Sequence, residues 1–165
     1  MIFYNKIKEI CKKHKKVALF VDMDGTIVEY NVYPEGYVTN QTKDLFLNAN
    51  PISMVLQNLE NMNKIENLDI YILSLAKSNT IIEEKKIWLK KFAPFISEEH
   101  YIILCRENGD YNSENRKYVK SVKMKEKLSE YDYVMLLDDE HKILKETQKE
   151  LKEDGEVFHI SSAII

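Results

Sequence analysis

The chain reads as an α/β protein built on a doubly wound parallel sheet of about five strands, and three observations predict this. Short apolar runs recur at Val17–Val21, Ile70–Leu73, Tyr101–Leu104, Tyr133–Leu137 and Val157–Ile160. Continuous runs of this length suit strands buried on both faces. Segments with helical spacing separate them, and such alternation is the mark of parallel crossover units. Polar clusters follow three of the runs: Asp22-Met23-Asp24-Gly25-Thr26 after the first, Ser74 after the second, Asp138-Asp139 after the fourth. In open α/β sheets, ligands bind beyond the carboxyl ends of the strands, so residues distant in sequence would meet there.

Taken in order, Ile7 and Ile10 suggest a short lead-in helix before the first strand. Residues 30–50 carry the turn signal Tyr33-Pro34-Glu35-Gly36-Tyr37 and then Leu45-Phe46-Leu47, and are expected to form a small cap insertion over the site. Asn50-Pro51 is expected to open a helix with proline at its first position, with Ile52, Val55, Leu59 and Met62 as the buried stripe. After Ser74, Thr80 and Glu83 have capping-box spacing, and Ile81, Trp88, Leu89 and Phe92 fall on one helical stripe. Ile143, Leu144, Thr147 and Leu151 make the last amphipathic stretch.

Composition bounds the function. At 165 residues, 44% apolar and 31% charged, the chain (1–165) is expected to be one soluble domain with a sizeable core. A net charge of −3 gives no footprint for a nucleic-acid polymer. No apolar stretch approaches membrane-spanning length, and Val17–Val21 is too short for a signal segment. Cys11 and Cys105 lack metal spacing and read as reduced thiols of a cytoplasmic protein. His14, His100, His141 and His159 share no ligand or triad spacing and read as surface or loop residues.

The clusters carry the chemistry. Asp22, at a strand end, is placed to attack phosphorus as a carboxylate nucleophile. Asp24, two residues on, can protonate a leaving group and then activate water. Gly25 permits a sharp turn with backbone N–H groups close to phosphate oxygens, and Thr26 can support that loop. The same five residues would also serve as a plain polar turn. Ser74 is a candidate phosphate donor, or else a turn or cap residue. A phosphate site also needs a fixed cation. Lys117, Lys120 and Lys123 all offer one in a segment, residues 115–125, where most lysines must simply form a solvated helix face; Lys120 is favoured, with Lys123 and Lys117 behind it. Asp138-Asp139 either holds a cation or caps the following helix. Clustered carboxylates need a neutralising charge, and oxygen-only donors point to a hard cation, most simply Mg²⁺.

The order Asp-x-Asp-Gly-Thr, Ser, Lys, Asp-Asp resembles the haloacid dehalogenase (HAD) superfamily of phosphohydrolases over residues 17–151. The resemblance implies a HAD-like Rossmannoid fold and a Mg²⁺-dependent phosphatase acting on a small phosphomonoester. It implies Asp22 as nucleophile and Asp24 as acid/base. The metal would be held by Asp22, the Asp24 carbonyl and Asp138, with Asp139 in support. Thr26, Ser74, Lys120 and Lys123 would serve the phosphate. Residues 84–92, Glu-Lys-Lys-Ile-Trp-Leu-Lys-Lys-Phe, followed by Tyr101–Arg106, resemble the 5′(3′)-deoxyribonucleotidases, which implies a nucleoside monophosphate. The alternative is a non-catalytic phosphate- or metal-binding regulatory module. Receiver domains also combine acids, Ser/Thr and Lys on a parallel sheet, but there the acidic pair precedes the phosphoacceptor; here it comes last. Oligomeric state is not set by the sequence.

Overall fold

In the computed structural model, residues 2–29 and 46–164 are described. The elements run α1 (Ile2–Lys13), β1 (Val17–Val21), α2 (Ser53–Met62), β2 (Leu68–Ala76), α3 (Asn79–Phe92), β3 (Tyr101–Cys105), α4 (Val119–Glu126), β4 (Tyr133–Asp138), α5 (His141–Leu151) and β5 (Gly155–His159). A short 3₁₀ segment, Ile160–Ile164, follows β5. The strands form one parallel sheet in the order β3-β2-β1-β4-β5. The chain builds outward from β1 to β3, then returns to the other side of β1 for β4. The reversal opens a crevice between the carboxyl ends of β1 and β4, the preferred ligand position of such sheets.

Every β1 residue is buried because the sheet is covered on both faces. Val17, Leu19 and Val21 pack in the core shared with α1, α2 and α3, alongside Ile70 and Ile72 of β2 and Met135 and Leu137 of β4. Ala18 and Phe20 pack in the opposite core with Tyr71, Leu73, Val134, Leu136 and the α4–α5 side chains Met124, Ile143, Leu144 and Leu151. Side chains alternate faces along a strand, so this parity also fixes which way the polar residues at the strand ends point. Gly155 opens β5 because a Cβ there would lie 2.3 Å from the Val134 carbonyl oxygen and 2.8 Å from Leu151 Cδ1.

Several local expectations are corrected. Pro51 is not the first residue of α2. It pairs with Val28 in an antiparallel bridge, and the Ile52 N–H donates to the Ile27 carbonyl at 2.8 Å. This pairing holds 50–52 extended, and the helix begins at Ser53. The cap of α3 is Ser78, whose Oγ accepts from the Ile81 N–H at 3.4 Å, not Thr80. Strand β2 continues past Ser74 to Ala76, since pairing with β3 holds Ser74 opposite Ile103. Residues 30–45 of the expected cap, Tyr33 and Tyr37 among them, lie outside the described residues. His100 is half-buried, stacked on Tyr71 with ring centroids 4.2 Å apart and its Nδ1 2.9 Å from the Ile70 carbonyl. Both cysteines are buried free thiols. No helix among the described residues is long and apolar enough to cross a membrane.

Candidate active site

The strand register brings the first and last acidic clusters together. Val21 pairs with Leu137, so Asp22 and Asp138 occupy the next rung, and the Asp22 N–H donates to the Leu137 carbonyl at 3.0 Å. Both continue the parity of Ala18, Phe20, Val134 and Leu136, toward the α4 face. From α4, the Lys120 ammonium donates to Asp22 Oδ1 at 2.8 Å and to Asp138 Oδ2 at 2.6 Å. Lys120 and Asp138 are each only 1% exposed. The other Asp138 oxygen accepts the Glu140 N–H at 2.9 Å. Among the described residues, no protein donor reaches Asp22 Oδ2.

Electrostatics follow from this burial. Removal from water pushes the Asp22 carboxyl up to about 6; Lys120 opposes the rise and Asp138 adds to it. Burial alone would discharge Lys120, but the two carboxylates outweigh it and hold the ammonium above the ordinary lysine value. Asp139 is raised by burial and then by Asp22.

A second group forms on the opposite face. Ser74 follows the parity of Ile70 and Ile72, toward α3. Lys85 of α3 donates to Ser74 Oγ at 2.7 Å, to Asp24 Oδ2 at 2.7 Å and to the Leu75 carbonyl at 2.8 Å. Its ammonium also lies 5.1 Å from the Phe46 ring centroid. Lys85 is 1% exposed, whereas the Asp24 side chain is 49% exposed. Gly25, with φ of 74°, turns the chain directly after Asp24, and its N–H donates to the Val28 carbonyl.

Asp22, Asp24 and Lys120 line one cavity of about 460 Å³ with Leu75, Arg116, Asp139, Glu140, His141 and Ile143. Carboxylate oxygens of Asp22, Asp138 and Asp139 lie within 4.8 Å of one another. Hard divalent cations bind oxygens at about 2.0–2.6 Å, so opposite ligands stand about 4–5 Å apart. Three carboxylates against the single charge of Lys120 leave a formal −2, which a divalent cation would neutralise. The donor set therefore fits Mg²⁺. The Asp24 carboxylate is outside that trio and engaged with Lys85.

Other expected residues are placed differently. Lys123 is partly exposed and pairs with Glu126, further along α4, at 3.3 Å. Lys117 lies over the Tyr118 ring at 4.9 Å. Thr26 and Ser74 are fully buried and do not line the cavity. The Thr26 Oγ1 has no hydrogen-bond partner among the described residues, so that residue packs beneath the loop. Phe46 is buried with its ring packed against Trp88, centroids 6.1 Å apart and planes at 72°. His141 lines the cavity and stacks on His159 at 4.4 Å, a placement its spacing did not signal.

Lys85 is the residue that sequence reasoning missed. A signal was present: Lys85 falls four residues after Ile81 and three before Trp88, on the apolar stripe itself. A lysine at such a position is buried only if an acceptor waits for it.

No protein-family model matches the chain, and no curated protein matches it. Among solved structures, it is similar to the HAD domain of effector protein Lem4 from Legionella pneumophila. The likeness covers 88% of this chain and 87% of that one, at 17% identity and a TM-score of 0.50. The architecture is thus a HAD-like Rossmannoid fold, as the motif order implied.

Proposed function

We propose that the chain is a Mg²⁺-dependent phosphomonoester hydrolase that works through an aspartyl phosphate. One observation carries this reading: Asp22 and Asp138, adjacent at the switch point of the sheet, share the buried ammonium of Lys120 at the floor of an open cavity. A structural ion pair has no need of a third carboxylate, a cavity and a second acid-bearing turn around it.

Asp22, Asp138 and Asp139 would hold the cation, with the Asp24 carbonyl as the resemblance implies. Bound there, Mg²⁺ would neutralise charge on the transferring phosphoryl group. Lys120 keeps Asp22 ionised and fixes its orientation, leaving Oδ2 to attack phosphorus. As the ester P–O bond breaks, Asp24 gives its proton to the leaving oxygen. It then takes a proton from the water that attacks the acyl phosphate, releasing inorganic phosphate and restoring Asp22. Lys85 holds Asp24 in place. A nucleoside monophosphate is the proposed substrate class, supported by the likeness of residues 84–92, which include Lys85 and Trp88, to deoxyribonucleotidases.

A panel of phosphomonoesters assayed with Mg²⁺ and with EDTA tests the reading. Hydrolysis should require the metal. Asp22→Asn should abolish turnover while retaining the fold, since an amide cannot form the acyl phosphate. Asp24→Asn should slow it about 10²–10⁴-fold. Near-full activity of Asp22→Asn would overturn the covalent route. Metal-dependent phosphate binding without any turnover would favour a non-catalytic module instead.

A further inference from the structure

The loop from β3 to α4 is more highly built than a connection needs to be. Asp110 Oδ2 accepts the Cys105 N–H at 2.7 Å, and the Tyr111 hydroxyl donates to the Ala76 carbonyl at 3.1 Å. Asn112 and Asn115 clasp each other: Asn112 Oδ1 accepts the N–H groups of Glu114 and Asn115, and Asn115 Oδ1 accepts that of Asn112. The Arg116 N–H donates to the Asn112 carbonyl at 3.0 Å. This framework presents Arg116 to the cavity that Asp22 and Lys120 line.

There Arg116 meets a carboxylate. Its Nη1 donates to Glu140 Oε1 at 2.6 Å across the cavity mouth. A guanidinium has five N–H donors in a planar fork. Among the described residues this is the one side-chain acceptor the guanidinium reaches, so its other N–H groups have no protein partner there, and Arg116 is one of the residues lining the cavity. Both side chains are partly exposed, 44% and 36%, so the pair can part at little cost. An arginine in the cavity lining, its backbone held by the asparagine clasp and its side chain engaged with a single replaceable carboxylate, is suited to planar oxyanions.

We propose that Arg116 reads a second anionic group on the substrate, a carboxylate or a second phosphate, with Glu140 occupying that position until substrate displaces it. The substrate class is then a phosphomonoester that bears another acidic group beyond the scissile phosphate. This rests on the phosphatase reading for turnover, but the binding role of Arg116 can be measured apart from it.

The experiment uses two ligand pairs that differ in the second anion: glycerol 1-phosphate against 3-phosphoglycerate, and thymidine 5′-monophosphate against thymidine 3′,5′-bisphosphate. Calorimetric binding to the Asp22→Asn protein in Mg²⁺ should favour the doubly acidic member of at least one pair by about tenfold, the usual worth of a charge-assisted hydrogen bond. The pair that responds identifies the anion as carboxylate or phosphate. Adding Arg116→Gln should bring that ratio close to one. Glu140→Gln, which removes the competing carboxylate, should instead widen it. Equal binding within both pairs, or a ratio unchanged by Arg116→Gln or by Glu140→Gln, overturns the proposal. If the ratio depends on Arg116 yet the unsubstituted chain hydrolyses none of the four, the anion site stands and the phosphatase reading falls.

Discussion

Two helices on opposite faces of the sheet each deliver one buried lysine to the site, and they do so in different company. Lys120 of α4 meets two carboxylates that are themselves buried. Lys85 of α3 meets a hydroxyl, a carbonyl, an aromatic ring and one half-exposed carboxylate. At the α4 group the two buried carboxylates depend on Lys120 for their positive charge, and Asp138, 1% exposed, has no access to water in its place. At the α3 group, Asp24 can turn to solvent, and the neutral acceptors need only one donor each. The contrast teaches that burial of a cation says little by itself; what matters is whether its partners have anywhere else to go.

Removing each lysine in turn should break the pair of groups unequally. Lys120→Met leaves Asp22 and Asp138 facing each other without a cation, and should cost about 3–5 kcal/mol in EDTA at neutral pH, read by urea unfolding. Asp22 already sits high, at about 6. Loss of Lys120 raises it further, so the penalty belongs to the ionised form. It is fully present above the folded-state value and fades as the pH falls toward the ordinary carboxylate range, where the carboxyl is protonated in both folded and unfolded chains. Added Mg²⁺ should restore part of the loss.

Lys85→Met should cost less, about 1–3 kcal/mol, the worth of leaving Ser74 Oγ and the Leu75 carbonyl without their donor. Here the deficit should respond little to Mg²⁺, because Asp24 lends no carboxylate to the acidic trio. Equal losses at Lys85 and Lys120, or equal rescue by metal, would erase the distinction between the two groups.

An acid at the far end of the sheet supplies the lower limit. Asp132, before β4, accepts the N–H groups of Lys15 and Lys16 at 3.0 and 2.7 Å. Slight burial would raise its carboxyl, but these backbone hydrogen bonds win and hold it below the ordinary value. A lowered carboxylate stabilises above its unfolded-state value, and the contribution is lost as the pH falls through the folded one. With the side chain 45% exposed, water screens most of that effect. Asp132→Asn should therefore cost under about 1 kcal/mol at pH 7 and nothing in strong acid, measured by thermal unfolding across pH.

By itself, the sequence determined the five apolar runs, their alternation with helices and the order of the acidic clusters. Those are local properties: a run of Val, Leu, Ile and Phe has one good place to go, between two layers of helices. The pairing of Asp22 with Asp138 followed from them, because both end strands of like parity. Lys120 could be favoured over Lys117 and Lys123 but not separated from them by spacing, since all three lie within two turns of chain. Tertiary structure separated them by orientation, turning Lys120 inward to two buried carboxylates and Lys123 outward to Glu126. It also decided Lys85. On the stripe of Ile81, Trp88 and Leu89 a lysine reads as an interruption of the core, and only the approach of Ser74 and Asp24 from two other elements makes its burial favourable. The same holds for Pro51, drawn into a bridge with Val28, and for Arg116, aimed by a clasp of two asparagines. A charged or turn-forming residue takes its position from partners far along the chain, and those partners are set only when the sheet closes.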